Sequence, residues 1–274
     1  MLGRDLMRAF GERGISATGM DVEECNVVDP ASCMTAVRGV RPAVVINCAA
    51  YTDVNRAEAE RELAFAVNGA GAHNVARACA ETGSLCVYIS TDYVFDGSKP
   101  HPYIEADPPG PLNAYGASKL EGEQRTAEAA PEHAIVRTSW LYGANGRNFV
   151  TTILARAKQG GTISVVADQF GSPTYTRDLA GALVEIALRR LTGILHVTNS
   201  GWCSWHGLAS RIVELAGISG IRVDPQPAAE YKTPAQRPAN SRLAAPRTAD
   251  LGLPSLPPWE DALGRFLREI QELD

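Results

Sequence analysis

The chain has 274 residues, 45% hydrophobic and 21% charged, with a formal net charge of −5. That is enough apolar chain for one large domain, or a domain with an appended lobe. The mild acidity excludes nucleic acid and an anionic membrane surface as obvious partners. No run reaches the roughly 18 apolar residues of a membrane span, and Met1-Leu2-Gly3-Arg4-Asp5 has no signal-peptide core. The six cysteines include no C-x-x-C pair. A cytoplasmic chain with reduced thiols is therefore expected.

In chain order, residues 2–11 read as a helix with Leu2, Leu6, Ala9 and Phe10 on one face. A short strand is expected over Ile15–Thr18 and a helix over 31–39. Ala43–Cys48 and Leu85–Ile89 are continuous apolar runs, the pattern of strands buried on both faces of a sheet. Between them, 57–82 makes one long helical pattern that stops at Thr82-Gly83. Helices follow over 113–129 and 147–160, with a strand at Ala134–Trp140 between them. Repeated strand–helix units imply an α/β fold with a doubly wound parallel sheet. Ligands of such sheets bind outside the carboxyl ends of the strands, where Asn47–Thr52 and Ser90–Asp92 fall.

Beyond about residue 160 the regularity weakens. Prolines crowd 225–258, but Tyr231, Arg237, Asn240 and Arg242 intersperse them and Trp259–Leu273 reads as a final amphipathic helix. An ordered lobe fits this better than a flexible linker. The expected division is 1–160 for the first domain and 161–274 mainly for a smaller lobe, with some segments returning to the core.

Tyr115 and Lys119 stand one turn apart on the 113–129 helix and face the same way. An ammonium there favours the phenolate over the phenol, so Tyr115 can shuttle a proton near neutral pH. Thr91, upstream at a strand end, can offer a hydroxyl to the same carbonyl oxygen. This is equipment for reducing a ketone by hydride transfer. A lone Y-x-x-x-K is most often a surface helix turn; the run Ser90-Thr91-Asp92-Tyr93-Val94-Phe95 ahead of it gives it weight. The competing structural readings are a strand-end turn for Thr91-Asp92, a core aromatic for Trp140, and pairing with surface acids for Arg237 and Arg242.

Several strings in order resemble the extended short-chain dehydrogenase/reductase superfamily and, within it, the dTDP-4-dehydrorhamnose reductase family. They are Asn47–Val54, Ser90–Gly97, Pro111–Glu123, Arg137–Gly143, Asp168–Thr174 and Arg237–Ser241. The resemblance implies a Rossmann-like domain, NADPH or NADH as cofactor, and a dTDP-4-keto-6-deoxy-L-sugar as substrate. The implied reaction reduces the 4-keto group to give dTDP-L-rhamnose. It assigns Tyr115 as proton donor, Lys119 as the group that lowers its pKa and holds the nicotinamide ribose, and Thr91 as a hydrogen-bonding assistant. Asp92 and Trp140 should touch the sugar, with Val54 packing on the substrate side. Ala50, Tyr51 and Thr52 should line the cofactor, with Asn26 and Val27 near the adenine. A monomer or homodimer is implied.

The superfamily expects G-x-x-G-x-x-G before the first helix, whose backbone approaches the pyrophosphate. Only Gly3 corresponds here, so a start upstream of Met1 is expected, with the added residues raising cofactor affinity. Asp21 fits either an acid that holds a ribose 2′-hydroxyl or a solvated loop acid, which leaves NADPH against NADH open. Some relatives bind magnesium through acids; Asp5 matches one such position, but Arg177 stands at a second and would repel a cation, so no metal is expected. The alternatives are a sister 4-ketosugar reductase of the dihydrostreptose type, a sugar-nucleotide epimerase, and a non-catalytic regulatory subunit like that of methionine adenosyltransferase. Asp168–Thr174 fits the reductases better than the epimerase.

Overall fold

The computed structural model describes residues 1–272. Six strands, β1 (Val44–Asn47), β2 (Leu85–Thr91), β3 (His133–Thr138), β4 (Gly161–Val166), β5 (Gly193–His196) and β6 (Ile221–Gln226), make the two larger ladders. The central sheet runs β1-β2-β3-β5, all parallel; β4 and β6 pair in parallel in the lobe.

β2 sets the layering. All seven of its residues are buried, and successive side chains point to opposite faces. Leu85, Val87 and Ile89 join Leu2 and Leu6 of helix α1 (Leu2–Glu12) in one core. Cys86 packs on the other face, with Cys33 and Val37 of α2 (Pro30–Val40) and Val75, Ala76 and Cys79 of α3 (Gly71–Thr82). Tyr88 and Ser90 point the same way, towards α4 (Ala114–Ala129). A strand covered by helices on both faces must be apolar along its length, which is why the run was legible as a strand. Each fully buried leucine or valine contributes about 1.5–3 kcal/mol.

Later helices complete the body. α5 (Phe149–Ala157) carries an N-terminal capping box from Asn148 and Thr151. α6 (Thr176–Leu188) covers the sheet beside α1 through Leu179, Ala180 and Leu183. α7 (Trp205–Leu215) and α8 (Trp259–Gln271) join α5 and β4 in the lobe core. Among the described residues no helix is long and apolar enough to cross a membrane.

Four local expectations need correction or trimming. Ile15–Thr18 forms no ladder; the Ile15 N–H donates back to the Phe10 carbonyl of α1 at 3.0 Å, and a stretch without a hydrogen-bonding neighbour strand is not a strand. The 57–82 helix breaks into Arg56–Ala59, Arg61–Phe65 and a π-turn over Ala66–Ala70 before α3. The first break is Glu60, whose φ −107, ψ 43 is not helical. The strand expected through Trp140 stops at Thr138, because Trp140 takes a left-handed φ of 47. The last helix ends at Gln271; residue 273 lies outside the described residues. The proline-rich stretch is ordered by backbone pairing: Asn240 bridges Phe170 and Leu243 bridges Tyr103.

Candidate active site

The site grows from the close approach of α4 to β2. Asn113 caps α4, its Oδ1 accepting from Gly116 N–H at 2.8 Å, while its Nδ2 donates to the Gln236 carbonyl at 2.8 Å. The helix start is thereby tied to the lobe. Gly116 lies so near the turn after β2 that a Cβ there would collide with the Tyr93 carbonyl. One turn or more later, a Cβ on Gly122 would collide with the Tyr88 hydroxyl and the Asn68 carbonyl. Two glycines let the helix settle onto the strand, and the side chains between them meet its carboxyl end.

There the structure brings Thr91, Tyr115 and Lys119 together. The Tyr115 ring stands edge-on to Tyr93, centroids 5.9 Å apart, with its hydroxyl turned towards that of Thr91. Thr91 Oγ1 also donates to Asp92 Oδ1 at 3.0 Å. Lys119 is 2% exposed; its Nζ donates to the Ile89 carbonyl at 2.6 Å and lies 4.0 Å from the centre of the Tyr88 ring. Asp92 is buried, with Oδ2 lacking a hydrogen-bond partner among the described residues.

Burial dominates the electrostatics. It pushes the Tyr115 phenol up to about 12, with Thr91 opposing the shift and Asp92 adding to it. It brings Lys119 down to about 7, opposed by the Glu123 carboxylate. It raises Asp92 to about 7, with Thr91, which donates to Oδ1, and the nearby Ser241 hydroxyl opposing the shift. The expected ammonium–phenolate coupling is therefore not what governs this chain on its own. Tyr115 keeps its proton at neutral pH, the state a proton donor requires.

Tyr51, like Tyr115, packs against the cluster of Ala57, Ala64 and Ala114, and its hydroxyl donates to Glu60 at 2.6 Å. Ala50, Thr52 and Val54 flank it on the same loop after β1, Thr52 exposed and the other two half-buried. Asn26 and Val27 sit elsewhere, against the start of α3: Asn74 Nδ2 donates to the Val27 carbonyl at 2.9 Å. Among the described residues no hydrogen bond joins them to Thr91, Tyr115 or Lys119. Trp140 is half-buried in a face-to-face stack on Trp205, centroids 3.4 Å apart and planes within 6°. Gly171 makes room for it, since a Cβ there would strike the indole. Arg237 donates to Asn55 at 3.1 Å and acts on Tyr93, whereas Arg242 lies over the exposed Trp202 ring, 4.5 Å from its centre.

Sequence reasoning did not single out Asn68, Trp205, or the buried pair Glu123–Arg137. Asn68 looked like one polar residue in a long helix; only its π-turn setting marks it, as such turns collect at functional sites. Glu123 and Arg137 stood within the strings that carried the resemblance, but no spacing rule pairs them.

The residues fit a dinucleotide. At the α1 N-terminus no side chain caps the first-turn N–H groups, and a Cβ on Gly3 would find nothing within 4 Å, so a phosphate can approach the backbone there. The sheet's carboxyl edge leads from Asn47 to Thr91, with the Lys119 ammonium beneath it.

The RmlD substrate binding domain family matches residues 1–272. A dTDP-4-dehydrorhamnose reductase from Streptomyces griseus is 42% identical over 269 residues, 96% of this chain and 88% of that protein. A probable dTDP-4,6-dihydroxy-2-methyloxan-3-one 4-ketoreductase from Streptomyces antibioticus is 39% identical over 272 residues, 98% of this chain and 92% of that protein. The crystal structure of Bacillus anthracis dTDP-4-dehydrorhamnose reductase in complex with NADP has a TM-score of 0.95 at 41% identity, covering 98% of this chain and 95% of that one.

Proposed function

This chain belongs to the RmlD substrate binding domain family, and from that premise we propose that it is a dTDP-4-dehydrorhamnose reductase. It reduces the 4-keto group of dTDP-4-dehydro-β-L-rhamnose to give dTDP-L-rhamnose, with NADPH or NADH as cofactor. The observation that carries the reading is the meeting of buried Thr91 and Lys119 with half-buried Tyr115 at the carboxyl end of β2.

A bound nicotinamide would supply the hydride. Tyr115, a phenol at neutral pH, gives its proton to the forming alkoxide, and Thr91 donates to the same oxygen. The Lys119 ammonium steadies the phenolate left behind and holds the ribose. Gly3, Ala50, Tyr51 and Thr52 line the cofactor, with Asn26 and Val27 at its adenine end. Asp92, Trp140 and Val54 hold the sugar: the unpartnered Asp92 Oδ2 suits a sugar hydroxyl and the fixed Trp140 indole suits its apolar face. Residues 161–274 supply most of the substrate lobe, with β5 returning to the core. A cytoplasmic monomer or homodimer completes the reading.

The test is nicotinamide oxidation by the purified chain with the ketosugar generated in place, for which NADPH and NADH are compared. A sister 4-ketosugar reductase is the second reading, favoured by the similarity to the Streptomyces antibioticus ketoreductase. Turnover of that enzyme's ketosugar in preference to the rhamnose precursor would select it.

A further inference from the structure

Three consecutive residues of β2 meet three residues spaced one turn apart on α4. Thr91 faces Tyr115, the Ile89 carbonyl accepts from Lys119 at 2.6 Å, and Ser90 Oγ donates to Glu123 at 2.5 Å. The third contact has no part in the reduction as described. Glu123 is 3% exposed and Arg137, from β3, 2%. Arg137 grips the carboxylate with two N–H groups, Nε at 2.9 Å and Nη2 at 2.7 Å. Desolvating such a pair costs much of what its attraction returns, so stability alone is a weak reason for its presence. Its placement one turn after Lys119 gives it another role.

We propose that Glu123 is a positioning residue for the proton transfer: its carboxylate, fixed by Arg137 and Ser90, holds Lys119 in its charged form and in register with β2. The consequence for catalysis rests on the reductase reading; the electrostatic coupling itself does not.

The groups that face Lys119 leave Glu123 as its anion. On its own helix are Tyr115 and Glu123. From β2 comes the Tyr88 ring, from the loop after β1 the Cys48 thiol, and beyond the carboxylate lies Arg137 of β3. Burial pushes Tyr88 well up and Cys48 up to about 12, so both are neutral at physiological pH, as is Tyr115. Without Glu123 the ammonium would sit among neutral groups in a dry pocket, where desolvation drives its proton off.

The chain's only lysines are Lys99, Lys119, Lys158 and Lys232, which makes a direct readout possible. In ¹⁵N-lysine-labelled protein, assigned with Lys119→Met, the Lys119 amine is titrated by NMR in the unsubstituted chain and in Glu123→Gln. The expected result is a midpoint lowered by about one pH unit in the variant. Mere loosening would admit water and raise the midpoint towards the ordinary lysine value, so an unchanged or raised midpoint overturns the proposal. Where Glu123→Gln does not fold, Glu123→Leu/Arg137→Met replaces both buried charges by apolar groups, an exchange buried pairs often tolerate; its midpoint must also fall, though by less, because the Arg137 cation leaves with the carboxylate. In active enzyme, Glu123→Gln lowers kcat and moves the alkaline limb of kcat to lower pH. A lysine shift in a chain that never oxidises NADPH or NADH would reject the reductase reading and keep the coupling. Turnover with an unmoved lysine would do the reverse.

Discussion

Asn68 holds the backbone of Tyr51 from both sides: its Oδ1 accepts the Tyr51 N–H at 2.8 Å and its Nδ2 donates to the Tyr51 carbonyl at 3.0 Å. The same Nδ2 reaches Ser118 Oγ on α4 at 2.9 Å. One buried amide thus fixes the loop after β1 against the helix of Tyr115 and Lys119. Replacing it by alanine leaves the Tyr51 N–H and carbonyl without this partner, at about 1–3 kcal/mol for a lost buried partner, while Ser118 Oγ keeps its bond to the Tyr115 carbonyl. Asn68→Ala is expected to lower the denaturation midpoint and raise the cofactor KM together. Full stability and an unchanged KM would show that the loop is held by other contacts.

Tyr115→Phe keeps the ring that packs against Ala57, Ala64, Ala114 and Tyr93 and removes the proton. Loss of general acid catalysis is expected to lower kcat by ~10²-fold or more, with the unfolding transition nearly unmoved. Near-normal turnover would end the assignment of Tyr115 as donor.

Lys119 makes stability depend on pH in a direction that can be worked out. It titrates at about 7 in the folded chain against 10.5 for a free lysine. Between those values the unfolded chain holds a proton that the folded one has lost, so stability rises with pH across that window. Below it both forms are protonated and the cost of burying the ammonium is fully present. Lys119→Met should therefore be the more stable protein at about pH 7, with a flatter stability curve up to about pH 10. Denaturant midpoints across that range check this; parallel curves for the two proteins would contradict it.

Trp140 combines a left-handed backbone with a tight stack on Trp205, strain that a site retains only when its surroundings hold it. A methyl group at Gly171 would push on the indole. Overpacking of this kind costs about 1–3 kcal/mol, so Gly171→Ala is expected to raise the ketosugar KM roughly tenfold or more while the cofactor KM stays put. Equal changes in both would mean that Trp140 does not sit on the sugar.

How much could be read in advance varied with where each residue's partners lie. β2 was legible because both of its faces are covered, and Lys119 because its partner in the motif is on the same helix. Ile15–Thr18 was not, since a strand is defined by a neighbour that no local pattern specifies. Asn68 and Glu123 were hidden for the same reason: their partners are Tyr51, Ser118, Ser90 and Arg137, residues joined to them only by the fold. Trp140 was placed on the right segment but in the wrong conformation, because the room for it comes from Gly171.

The most direct test of the central claim is nicotinamide absorbance with dTDP-4-dehydro-β-L-rhamnose generated in place, run on this chain and on Tyr115→Phe side by side. The account predicts substrate-dependent oxidation of NADPH or NADH by the unsubstituted chain, and a rate lower by ~10²-fold or more in the variant. A folded chain that binds the cofactor yet oxidises neither nicotinamide with this ketosugar would contradict it.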